Sequence, residues 1–289
     1  MAESPAHKFG QVIGGLLESV VRPPLEQFCD KQGLYLDYQS KARPARRRRK
    51  VSWEDPYGNF HDLDFVIERE GSDREIGQPV AFIEVAWRRY TKHSRNKVQE
   101  IQGAILPLAE KYRWNNPFLG AVLAGVFTSG SLDQLRSLDF QGLRFPYETL
   151  VNAFASEGID IRFDESTPDE VFRKCTDEIA GAPDDLMQSI RQHLIQANSL
   201  QITQFFTALE TRLGRTIRRV LVVPLYGRIN EFVTIAEALS FLDQHPIYEG
   251  SGEFRKYEIL VEFSNGDKVD AFFSSKQKVH EFLSFVALQ

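Results

Sequence analysis

The chain has 289 residues, 42% of them hydrophobic and 26% charged, and 40 acidic against 35 basic side chains give a formal net charge of -5. That balance, with a mean hydropathy of -0.32, excludes disorder, a collagen-like repeat or a coiled coil as the overall class. The acidic net charge excludes a uniformly basic nucleic-acid coat protein and leaves room for a local basic cleft. Cys29 and Cys175 have no CxxC partner, so neither a disulfide framework nor a thiolate zinc site is written in the sequence, and a reducing cytoplasm is the expected setting. Residues 12–21 are apolar but interrupted by Gly14, Gly15 and Glu18. They are too few to span a bilayer, so no membrane partner is expected.

Phe9, Ile13, Leu16, Leu17, Val20 and Val21 recur at helical spacing until Pro23-Pro24, which predicts an opening helix with a further turn after a kink, over residues 25–31. Residues 34–38 alternate like a strand. A cationic run follows, Arg46 to Lys50, leading to Val51 and Trp53, and then Asp55-Pro56-Tyr57-Gly58-Asn59 reads as a turn. Two strands are expected at 60–68 and 80–87, joined as a hairpin with a long polar tip. A helix is expected over about 96–112, with Val98, Ile101, Ile105 and Leu108 on one face. The unbroken small and apolar run 118–127 suits a strand buried on both sides.

A short helix (131–138), a strand (143–146), a helix (147–156) and a short strand (159–163) complete an α/β domain over residues 1–165. Residues 166–213 read as a helical connector broken at 181–183. Residues 214–289 read as a small β-α-β-β-α domain: a strand 217–226, a helix capped by Thr234-x-x-Glu237, two strands about Asn265-Gly266, and a helix after Ser274-x-x-Gln277.

The chemistry concentrates in Asp62-Leu63-Asp64-Phe65 and Phe82-Ile83-Glu84-Val85-Ala86-Trp87. Each sets a carboxylate inside an apolar strand, where an unpaired charge is expensive. Strand alternation lets a hairpin bring Asp64 opposite Glu84, and two like charges held together invite a hard cation. Mg²⁺, or Mn²⁺, takes one or two carboxylates and a backbone carbonyl and keeps waters. A pair of strand-edge acids matched to arginines on the same sheet is the competing reading of the same pattern.

Asp64, then Glu84 twenty residues later on the next strand, then a helix and a buried strand, resemble the PD-(D/E)XK nuclease superfamily over roughly residues 9–165. The resemblance implies a restriction-endonuclease-like mixed central sheet flanked by helices, and Mg²⁺-dependent hydrolysis of DNA phosphodiesters, in restriction or defence against foreign DNA. It implies Asp64, Glu84 and the Val85 carbonyl as metal ligands and Glu18 on the opening helix as an assisting carboxylate. The chain departs from the pattern: Ala86 stands where a lysine is expected and Leu63 where a proline is. Lys97, at the start of the following helix, is the expected substitute for the missing ammonium, with Lys92 and Arg88 as second choices.

Arg88, Arg89, Lys92 and Arg95 follow the acidic strand, interleaved with aromatics, and Arg46, Arg47 and Arg48 supply a second cationic segment. Both are expected to engage phosphates. A homodimer or a defence-system protein are the further partners the resemblance suggests. The alternative is a catalytically inactive nuclease-fold module that binds nucleic acid or a protein partner, for which Ala86 is the argument.

Overall fold

A computed structural model describes residues 4–46, 49–90, 94–164, 166–224, 228–244 and 254–287. Two compact units divide at Leu209/Glu210. In the first, α1 (Pro5–Gln32) starts at the Ser4 cap, whose hydroxyl accepts the His7 N–H, and stops at Gly33, whose φ of 66° closes the last turn. Pro23 and Pro24 lie inside the helix and do not end it. The buried stripe simply continues past them through Leu25 and Cys29, while the two rings sit toward solvent. Burial on the inner face outweighs the two backbone hydrogen bonds that proline cannot donate.

The central sheet has the order β1-β4-β5-β6-β7, with β1 at Tyr35–Tyr38, β4 at Phe65–Arg69, β5 at Gln78–Arg88, β6 at Phe118–Gly125 and β7 at Phe140–Pro146. β1, β4 and β5 pair antiparallel; β5, β6 and β7 pair parallel. The expected strand 60–68 is split. β3 (Phe60–Leu63) turns away to pair with β2 (Val51–Glu54) as a separate hairpin, so Asp64 stands alone at the break between two sheets.

The crossover from β5 to β6 is α2 (Ser94–Lys111), which buries Val98, Ile101, Ile105 and Leu108 against Val66, Phe82, Ala86, Ala121 and Leu123. The crossover from β6 to β7 is α3 (Ser129–Ser137), and α4 (Tyr147–Ala155) follows β7. β6 is buried at every position, as a strand covered on both faces must be. Helices α5 (Asp169–Ala180) and α6 (Asp184–Ala197) pack on α1, and α6 also on α4, while Phe205 of α7 (Ser199–Leu213) meets Phe118 edge-on at 5.3 Å. The expected connector is therefore largely part of the first unit.

Residues 159–163 are not a strand. Ile159, Ile161 and Phe163 do alternate into the core, but the Tyr147 hydroxyl takes the place of a partner strand, donating to the Ile161 carbonyl (3.1 Å) and accepting the Phe163 N–H (3.2 Å).

The second unit is an antiparallel sheet of order β11-β10-β8-β9, made of β8 (Ile217–Pro224), β9 (Asn230–Phe232), β10 (Tyr257–Phe263) and β11 (Lys268–Phe273). With it come α8 (Ile235–Gln244) and α9 (Lys276–Ala287), which share an apolar core with Val220, Val222, Ile259 and Val261. The three-residue β9 is the element the sequence pattern did not signal. The Thr234/Glu237 capping box forms as read. The last helix is capped by Ser275, one residue beyond the expected Ser274.

At the outer edge of the central sheet lies a buried ionic cluster. Asp37 of β1, 1% exposed, pairs with Arg43 at 2.6 Å and with Arg46 at 2.5 Å; Arg46 reaches on to Glu68 of β4 at 3.2 Å and donates to the Ser52 carbonyl at 2.7 Å. Arg46 thus ties the arginine segment to the sheet, and this is where the structure differs from its expected role at a phosphate. Removing one partner of such a cluster strands the others in low dielectric. Asp37→Ala is expected to lower stability by about 3–5 kcal/mol, read by urea denaturation; a loss below about 1 kcal/mol would mean water solvates the two guanidinium groups.

Candidate active site

Phe65 pairs with Ile83 in the β4–β5 ladder, so Asp64 and Glu84 occupy the next facing positions, just beyond the paired residues. The Asp64 carboxylate accepts the Val85 N–H through Oδ2 at 2.7 Å and the Gln39 side chain through Oδ1 at 3.1 Å, while Glu84 is steadied by the Asp64 backbone N–H. The two acids are thereby locked to each other's strands. Val126 N–H donates to the Arg88 carbonyl, so the even-numbered residues of β5 bond toward β6. Val85 therefore presents both its N–H and its carbonyl to the opposite edge, where β4 has ended.

Burial raises the pKa of both carboxyls. For Asp64, desolvation outweighs the Val85 N–H and the attraction of Lys97. For Glu84, desolvation and the adjacent Asp64 charge lift it well above the usual range against the pull of Lys97. Glu18 joins them from α1, its carboxyl pushed up to about 7 by burial and by the Asp64 charge, with Arg22 opposing. Asp64, Glu84, Lys97 and Glu18 thus share one electrostatic environment.

Ala86 holds the position where the resemblance expects a lysine. It lies on the Glu84 side of β5, 2% exposed, in the apolar cluster beneath α2. A lysine there would be buried under the helix. Lys97, in the first turn of that helix, is half-buried and places its charge within reach of both acids. Its Nζ lies 3.2 Å from Glu100 Oε2, which Arg88 also approaches at 3.5 Å.

The other expected phosphate contacts divide. Arg88 donates to its own neighbour's carbonyl, Trp87 O, at 2.8 Å, and Arg89 lies over the rings of Tyr90 (4.4 Å) and Phe172 (4.3 Å). Both line a cleft beside the acids. Arg95 is exposed on the first turn of α2. Lys92, Arg47 and Arg48 lie outside the described residues. Asp62 faces away from the cluster and pairs with Lys50 and Ser52 on the hairpin. Sequence reading missed Gln39, whose place beside Asp64 follows from the Tyr38–Phe65 pairing in the β1–β4 ladder; an isolated glutamine at a strand end carries no signal of its own.

Among the described residues, no three His, Cys, Asp or Glu side chains are gathered to enclose a metal ion. The donors present are two carboxylates and one strand-edge carbonyl. That set fits a hard ion such as Mg²⁺ or Mn²⁺ that keeps several waters, and two half-buried carboxyls side by side gain from a cation. It does not fit a closed zinc cage.

The raised carboxyls fix a sign for pH dependence. In the unfolded chain Glu18 ionises near 4.5, whereas in the folded chain it holds its proton to about 7. Between these values the folded state binds more protons, so its stability falls as pH rises. The shifts of Asp64 and Glu84 act in the same direction. Asp55 and Glu262, lowered by their hydrogen-bonding partners, lose their contributions only below the usual carboxylate range. Urea unfolding of the metal-free protein from pH 4.5 to 7.5 is expected to carry this falling component, and Glu18→Gln to flatten it. A slope unchanged in that variant refutes the coupling.

No protein-family model matches the chain, and no curated protein matches it. Among solved structures it is similar to AF1548, a crystallised protein of unknown function, at 11% identity over 66% of this chain and 99% of that one, with a TM-score of 0.29. Among the described residues no helix is long and apolar enough to cross a membrane. In class the chain is an α/β protein with a mixed central sheet flanked by helices.

Proposed function

We propose that the chain is a metal-dependent endonuclease of the restriction-endonuclease-like type, hydrolysing DNA phosphodiester bonds, with defence against foreign DNA as its setting. The observation that carries this reading is the facing pair Asp64 and Glu84, set side by side at the end of β4 with Lys97 beside them. A purely structural acid pair is expected to be matched by a docked guanidinium, as Asp37 is by Arg43 and Arg46. Among the described residues Asp64 and Glu84 have instead backbone N–H groups, the Gln39 amide and one nearby ammonium, and a cation would take the place of the proton that their raised pKa values retain.

Asp64, Glu84 and the Val85 carbonyl would hold Mg²⁺ or Mn²⁺. When bound, such an ion supplies a Lewis acid for the phosphoryl oxygen and lowers the pKa of its water. The residues do the positioning. Lys97 directs its ammonium to the water and to the charge that develops on phosphorus. Glu18, which holds its proton close to neutral pH, serves as a proton relay at the edge of the pair. Arg88 and Arg89 hold the flanking phosphates. Water attacks phosphorus in line, a new P–O bond forms as the bond to the leaving oxygen breaks, and the leaving oxygen takes up a proton.

One observation favours the alternative, a module that binds DNA or a protein partner without cutting. Lys97 is paired with Glu100, an acceptor it must leave to serve the water. Plasmid nicking with Mg²⁺ or Mn²⁺ separates the two readings. Asp64→Ala and Glu84→Ala are each expected to reduce nicking at least about a hundredfold. Lys97→Met is expected to do the same while DNA affinity stays within about twofold. Nicking that persists in both acid variants overturns the enzyme, and binding without nicking in the unaltered protein establishes the module.

A further inference from the structure

The first unit contains a cleft of about 340 Å³ between the N-terminal half of α1 and the C-terminal end of β5. We propose that it receives one unpaired nucleotide of a DNA strand, so that the chain engages single-stranded or locally opened DNA in preference to closed duplex. The inference rests on the nuclease reading and names the form of its substrate.

Position comes first. Val85 and Lys97 line the cleft and also border the paired acids, so a nucleotide held there lies next to the phosphodiester presented to them. The cleft also sits beyond the carboxyl end of a parallel strand, where open α/β sheets place their ligands. Its volume is at the low end for small-molecule sites. That accommodates one base and sugar and is too small to enclose a stacked base pair with both its backbones.

The lining then selects the occupant. On the α1 side stand Gly10 and Gly14, one helical turn apart. A Cβ on Gly14 would have nothing within 4 Å, and one on Gly10 would meet only Trp87, at 3.8 Å. Neighbouring atoms do not require glycine at these positions, and glycine is a poor helix former. The cost is explained if the space is used. Across the cleft Trp87 is fixed by stacking on Tyr147, at 6.0 Å and 26° between planes, and a fixed ring is a platform for an unstacked base.

Arg88 and Arg89 supply positive charge. Arg89 is the more telling: its Nε is buried and has no hydrogen-bond partner among the described residues, while its guanidinium lies over the rings of Tyr90 and Phe172. An unsatisfied buried donor on a charged group is costly, and a phosphate oxygen entering the cleft would satisfy it. Enzymes that act on a nucleotide in a closed pocket must take it out of the stack, and an already single-stranded site costs least.

The test uses the full-length protein and a fluorescent 12-nucleotide strand, with its 12-base-pair duplex as competitor, by anisotropy in EDTA at fixed salt. The single strand is expected to bind at least tenfold more tightly. Gly14→Leu, which fills the cleft, is expected to lose at least tenfold of that affinity while its thermal midpoint stays unchanged or rises, because leucine favours the helix. Arg89→Met is expected to weaken single-strand binding. Equal affinity for strand and duplex, or Gly14→Leu binding as the unaltered protein does, overturns the inference even if plasmid nicking is found. Single-strand binding lost in Gly14→Leu without any nicking by the unaltered protein keeps the pocket and overturns the nuclease reading alone.

Discussion

Everything proposed for this chain depends on a break of one residue. At Asp64 the polypeptide leaves the β2–β3 hairpin and enters the central sheet, and its backbone belongs to neither ladder. A carboxylate at that point can turn to the Val85 N–H that β4 has ceased to reach. The same geometry puts it opposite Glu84. Like charges are brought together because each accepts a backbone N–H from the other's strand, and the energy of those hydrogen bonds offsets a repulsion that would otherwise part them.

Around that break the fold provides three kinds of support. The β1 strand contributes Gln39 to the Asp64 carboxylate and, through Asp37, anchors Arg43 and Arg46. The covering helix α2 fills the space above Ala86 with Val98 and Ile101 and carries Lys97 at its first turn. The opening helix brings Glu18 to the acids and leaves a glycine-walled cleft beside them. A mixed sheet with antiparallel strands on one side and parallel strands on the other is what allows an N-terminal helix and a crossover helix to meet at one strand end.

Much of this was legible in the sequence, for reasons that differ by element. The face Val98, Ile101, Ile105 and Leu108 and the unbroken run of β6 carry strong periodic signals, and both elements formed close to the expected limits. The acids were conspicuous because charge inside an apolar strand has few structural uses. What could not be read was tertiary. Period-two alternation at Ile159, Ile161 and Phe163 did not reveal that a tyrosine hydroxyl stands in for a neighbouring strand. Two prolines could not announce that burial on the far side of α1 would carry the helix through them. Arg46 was expected at a phosphate because its partners, Asp37 and Glu68, are distant in the chain. Gln39 became a partner of Asp64 only through strand register.

The hydrogen bond from Val85 to Asp64 has a further consequence. β5 runs past the end of its antiparallel neighbour, and such an overhang is an unprotected template on which another chain can add a strand. With its amide already occupied by a side-chain oxygen, that stretch offers foreign backbone no complete ladder to join. The acid that faces Glu84 therefore also withdraws one backbone donor from that open edge.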